Sequence, residues 1–152
     1  MYSVVILNLT TMKKLVFILF LLNLSSGVMA QDHWKLYCGK KILFQTDKTD
    51  DTTVVIRLGE KVLNSGQDLR LTYQEEMARK DWNRHFSITD SQGAELKNFE
   101  GPGTMRIPFT ELGKMLESNP ALKIFTWAIP NDPEMAARVR VRRVYLCSLA
   151  KE

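Results

Sequence analysis

Histidine is nearly missing from this chain: it occurs twice, as His33 and His85. With no H-E-x-x-H, no clustered His/Cys ligands and no G-x-S-x-G, neither zinc chemistry nor a serine hydrolase has a foothold. Cysteine is as scarce: Cys38 and Cys147 are the only two. They form no C-x-x-C, which excludes a thioredoxin-type redox pair. No repeat and no low-complexity tract is present, so nothing points to a solenoid or a linker between domains. Acidic residues are absent from the first 30 positions, and all 17 lie beyond them.

That acid-free stretch has its own pattern. Lys13 and Lys14 precede a nearly unbroken apolar run, Leu15 to Leu24, followed by Ser25, Ser26 and Gly27 and then by Val28-Met29-Ala30. This is the n-region, h-region and cleavage site of a secretory signal peptide, with cleavage expected after Ala30 and Met12 as the true start. The run is too short to span about 30 Å of hydrocarbon, so no stable membrane anchor is expected after cleavage. Residues 31–152 are then one exported domain, periplasmic or extracellular. Removing Lys13 and Lys14 takes the basic count from 21 to 19 against 17 acids, a net charge of +2. A balance that close to neutral does not call for nucleic acid.

In an exported chain two cysteines most simply pair, and Cys38 and Cys147 are expected to form a disulfide joining the two ends of the fold.

The remaining periodicity is that of strands. Trp34 to Cys38 alternates, and Gly39-Lys40 turns it into a return strand, Lys41 to Gln45. Thr53 to Leu58 and Asp68 to Tyr73 follow, the second with Leu69, Leu71 and Tyr73 inward. Asp81 to Thr89, a turn at Asp90–Gly93 and Ala94 to Phe99 form a hairpin, with Gly93 supplying the positive φ. Thr104 to Pro108 is a short extended piece. The period then changes to that of a helix over about 110–118, with Thr110 as N-cap and Leu112, Met115 and Leu116 on its apolar side. Leu122 to Ile129 is apolar on both faces, as a central strand is. Asp132 and Pro133 are placed to start a single helical turn. Arg138 to Leu149 reads as a long last strand. It runs either straight, with Arg143, Tyr145, Cys147 and Leu149 inward, or with a bulge at Arg142-Arg143 that turns Val144 and Leu146 inward. Short strands at regular spacing with one helix predict a mainly β protein, a single antiparallel β-sandwich.

Candidate sites are few. On a last strand, Arg138, Arg140 and Arg142 share a face about 6.5–7 Å apart, suited to an anionic ligand. A solvated edge that resists aggregation explains the same row. Trp34, Trp82 and Trp127 fit a sugar-stacking platform, but each lies among apolar strand residues, as core side chains do. Asp47, Asp50 and Asp51 lack the spacing of a calcium loop. Glu75, Glu76 and Asp81 are carboxylates of the kind glycoside hydrolysis uses in pairs, though such groupings arise by chance in a chain this charged. His85 has no partner identifiable from the sequence.

Asp81-Trp82-Asn83-Arg84, the Asp90–Gly93 turn, and Asp132-Pro133 through Arg143-Val144-Tyr145-Leu146-Cys147 together resemble small exported bacterial proteins of uncharacterised function. That resemblance implies export and a small β domain, and brings no activity or site residue. The expectation is a non-enzymatic exported domain, without cofactor or metal, that binds or supports an envelope or extracellular component, a protein or a glycan. A carbohydrate-binding module and a secreted hydrolase inhibitor are the alternatives.

Overall fold

A computed structural model describes residues 32–75 and 79–152. The expected signal at 1–30 and Glu76 lie outside the described residues. The protein is mainly β, with nine strands and three short helices among the described residues. Four strands, β1 (His33–Cys38), β2 (Lys41–Thr46), β4 (Asp68–Gln74) and β7 (Thr104–Pro108), form one sheet in the order β2-β1-β4-β7. The other sheet has the order β3-β9-β8-β5-β6, from β3 (Val55–Leu58), β5 (Trp82–Thr89), β6 (Glu95–Gly101), β8 (Ala121–Pro130) and β9 (Val144–Lys151).

Alternation decides which side chains go inside. Trp34 and Leu36 of β1, Leu69 and Leu71 of β4, and Met105 and Ile107 of β7 are buried from the first sheet. Phe86 and Ile88 of β5, Leu122 and Ile124 of β8, and Leu146, Cys147 and Leu149 of β9 are buried from the second. All belong to one core cluster. The helix α2 (Phe109–Ser118) adds Phe109, Leu112 and Leu116 to it. Each such side chain stabilises the fold by about 1.5–3 kcal/mol relative to remaining exposed.

The helix α2 starts one residue before the expected cap. Pro108, at φ −59°, is the N-cap residue and makes no side-chain cap. Its restricted φ turns β7 straight into the helix, and the Phe109 amide donates to the Gln67 carbonyl (3.0 Å). Thr110 is therefore inside the first turn. Asp132 does cap: its side chain accepts from the Glu134 amide at the start of α3 (Pro133–Arg138). A single turn, α1 (Glu60–Leu63), interrupts the loop after β3.

Two expectations about the sheets fail. The pairing is not wholly antiparallel: β3 runs parallel to β9, with Val55 opposite Ser148 and Leu58 opposite Lys151. The cause lies in the preceding loop. The Asp50 amide donates to the Tyr145 carbonyl (2.9 Å), and Asp50 Oδ1 accepts from the Tyr145 amide (2.9 Å). Asp50, at φ +58°, thus docks the loop at the start of β9, and β3 then follows β9 in its own direction. The last strand is also shorter than expected and begins at Val144. Its irregularity sits at Leu146: Phe125 pairs with Tyr145 and Ile124 with Cys147, leaving Leu146 as the extra residue. That bulge lets Val144 and Leu146 pack against the core before it and Cys147 and Leu149 after it.

Candidate functional site

The predicted disulfide is not formed. Cys38 and Cys147 are both free thiols. Cys38 ends β1 in the four-stranded sheet, where its Sγ lies 3.6 Å from Gln67 Oε1 and 3.9 Å from Ser65 Oγ. Cys147 sits in the middle of β9 in the other sheet, opposite Ile124 and fully buried. Burial pushes its thiol pKa up. An inward cysteine on a strand is equally a bridge partner or a small apolar side chain, and here Cys147 is the latter.

The arginine row is not a row on a strand. Arg138 closes α3, and Arg140 and Arg142 lie in the irregular segment before β9, so no pleat spaces their guanidinium groups. Arg142 pairs with Asp50 Oδ2 at 2.5 Å, with the arginine side chain 79% exposed. A pair that open contributes at most about 1 kcal/mol. Arg138 and Arg140 are exposed. Arg143, left aside as a register ambiguity, folds over the five-stranded sheet instead. Its guanidinium carbon lies 4.5 Å from the Trp127 ring centroid, and it pairs with Glu95 at 3.0 Å.

That contact settles the part of Trp127. His85 stacks on the same indole (5.5 Å between centroids, 11° between planes), and Trp127 is buried. Trp34 is fully buried, with its Nε1 donating to the Lys48 carbonyl (3.0 Å). Only Trp82 is half-buried. The three tryptophans form no common platform, but one of them stands at a cleft.

The cleft lies where the end of β4 meets the start of β5, and its volume is about 790 Å3. Tyr73, Glu75, Arg79, Trp82, Asn83, Arg84 and Glu100 line it, with the turn Gly101-Pro102-Gly103. At its base is Arg84, with a side chain only 11% exposed. It has the parity of Phe86 and Ile88 and so points the same way from β5. It pairs with Glu75, donates to Thr126 Oγ1 (3.1 Å), and lies 4.3 Å from the Tyr73 ring centroid. Thr126 is fully buried and donates in turn to the His85 carbonyl (2.8 Å). Burial lowers the Arg84 pKa, yet a guanidinium remains charged at any working pH, so Glu75 and the Tyr73 ring are the compensation that makes its burial tolerable. Tyr73 donates its hydroxyl to Asp32 Oδ2 (2.7 Å). Burial first, and then this hydrogen bond, push the Tyr73 pKa up.

The cleft walls are fixed as well. Asn83 Nδ2 donates to Glu100 Oε1 (2.8 Å), and the Arg79 guanidinium lies 4.7 Å from the Trp82 ring centroid. The Gly103 carbonyl accepts from the Tyr73 amide (2.8 Å), and a Cβ on Gly103 would meet the Tyr73 carbonyl oxygen at 2.6 Å. The sequence offered Glu75 and Trp82 separately. Arg84 and Tyr73 went unrecognised as partners, because nothing in either strand records which residue of another sheet will face it.

In the acidic loop Asp50 is taken up by Tyr145 and Arg142, and Asp51 by its own neighbour. Asp51 accepts from the Thr53 hydroxyl (2.6 Å) and amide (3.0 Å), and these bonds hold its carboxyl below the usual range. Among the described residues no group of three or more His, Cys, Asp or Glu side chains is placed to hold a metal ion. No helix of the described residues is long and apolar enough to cross a membrane. No protein-family model matches the chain, and a comparison with curated proteins returns no match.

Proposed function

We propose that residues 31–152 form an exported, non-enzymatic β-sandwich that binds a glycan of the envelope or extracellular surroundings in the cleft at Trp82. The observation that carries this reading is the wall composition: a half-buried indole beside an amide, two carboxylates and two guanidinium groups. A sugar offers a C–H face to an aromatic ring and hydroxyls that both donate and accept, and these groups supply the complements. Most are already held by neighbours, so binding need order few side chains.

Support for binding without hydrolysis comes from the carboxylates. Glycosidases require one carboxyl as a proton donor. Glu75 is engaged by the Arg84 guanidinium and Glu100 by the Asn83 amide, so neither carboxyl stands free in the cleft. The inhibitor alternative draws no support from the 47–53 loop, which is tied to β9 through Asp50.

A glycan array followed by calorimetry on the best ligand tests the proposal. Trp82→Ala is expected to weaken binding about tenfold or more, as loss of a stacked ring does, with the unfolding midpoint little changed. Absence of any glycan ligand, or equal binding by Trp82→Ala, overturns it.

A further inference from the structure

We infer a second binding surface, for a linear anionic polysaccharide, on the face of the four-stranded sheet turned away from the core. Since Trp34, Leu36, Leu69, Leu71, Met105 and Ile107 point into the core, the intervening residues point away from it. The register places Tyr37 opposite Arg70 and Arg70 opposite Arg106, one straight row over three strands. Lys35 lies one pleat along, opposite Thr72, which in turn faces Thr104.

Two observations mark this face as incomplete. Arg70 and Arg106 are direct cross-strand neighbours of like charge, an arrangement that destabilises a sheet by itself. Neither they nor Lys35 makes an ion pair among the described residues: Asp68, on the same face, pairs with none of them, and neither does Asp47, which lines one depression with Lys35. In addition, Arg70 Nε is sealed from solvent without an acceptor. An anion that draws the guanidinium outward would satisfy that donor and relieve the repulsion together.

The occupant follows from what else the face offers. A lipid surface would require apolar side chains to insert, and Ile42 at the β2 edge is the one large exposed hydrophobic residue here. Single-stranded nucleic acid is held by successive bases stacking on several aromatic rings, and the rows of this face, Lys35–Thr72–Thr104 and Tyr37–Arg70–Arg106, offer only Tyr37. Guanidinium groups in a row, with threonine hydroxyls beside them, suit the sulfate or carboxylate groups of a polysaccharide.

Dextran sulfate is the test probe, with affinity measured against salt concentration. Arg70→Gln/Arg106→Gln is expected to weaken binding by about tenfold per arginine and to lower the salt slope by roughly two. Arg138→Gln/Arg140→Gln removes the same charge elsewhere and is expected to change little. Arg106→Gln alone, at an exposed position, repeats the test if the double variant fails to fold. Equal losses in the two double variants would show a net-charge effect and overturn the site. So would failure of the wild-type protein to bind, or tighter binding to phosphatidylglycerol vesicles or single-stranded DNA than to dextran sulfate.

Discussion

Tyr73 and Arg84 come from different sheets and meet at the base of the cleft, so each depends on the other for its environment. The consequence is visible at alkaline pH. The Tyr73 pKa is raised from its ordinary 10.0 by burial and by Asp32, so above about pH 10 the unfolded chain loses a proton that the folded chain keeps. The unfolded state then binds fewer protons, and stability falls as pH rises, by up to about 1.4 kcal/mol per pH unit for one group. Urea unfolding of Tyr73→Phe between pH 9 and about 11 is expected to show a shallower decline than wild type. Tyr145 and Cys147, both also raised by burial, should leave a residual slope. Parallel declines in the two proteins would remove Tyr73 from this role. The inward direction of Tyr73 is readable from the alternation of Asp68 to Tyr73. Its partner is not: Arg84 shares the parity of Phe86 and Ile88 and so reads as inward, but neither strand records that Tyr73 of the other sheet will face it.

Elements divide in the same manner. The hairpin of β5 and β6 is local: Asp90 Oδ1 accepts from the Gln92 and Ala94 amides (2.8 Å each), and Gly93 takes φ +90°. Its residues carry all its information, so its turn is where the sequence places it. Gly103 also has positive φ, at +80°, but its second constraint is the nearby Tyr73 carbonyl, which belongs to another strand. The two glycines should therefore differ. Gly93→Ala, with nothing within 4 Å of the added carbon, is expected to cost about 1–2 kcal/mol from backbone conformation alone. Gly103→Ala should cost about 1–3 kcal/mol more, because the turn must move off β4. Chemical denaturation of both variants decides it, and equal costs would mean that the approach to Tyr73 is not tight. The start of α2 shows the same limit: Thr110 is a good cap by type, but Pro108 and the Gln67 carbonyl, supplied across a gap in sequence, set the first turn.

For the whole molecule the thiols are the clearest test. Cys38 and Cys147 belong to different sheets, and Cys147 is enclosed by the core. The thiolate is the reactive form, and burial disfavours it. Non-reducing peptide mapping should find no Cys38–Cys147 link, and Ellman's reagent should reach Cys147 only after unfolding. A linked pair in protein purified without reductant would contradict the arrangement of the two sheets. What the sequence by itself determined is the mainly β composition, the positions of most strands, the short amphipathic helix and the inward residues of strands such as Asp68 to Tyr73, all of which follow from periods of 2 and 3.6 within one segment. Only the tertiary structure decided that β3 runs parallel to β9, that the arginines of 138–142 leave the strand, that Trp82 rather than Trp34 or Trp127 stands at a cleft, and that Arg70 faces Arg106. Each of these depends on which distant segment supplies a hydrogen bond or a charge, as Asp50 does at Tyr145, and a partner far along the chain leaves no trace in the local pattern.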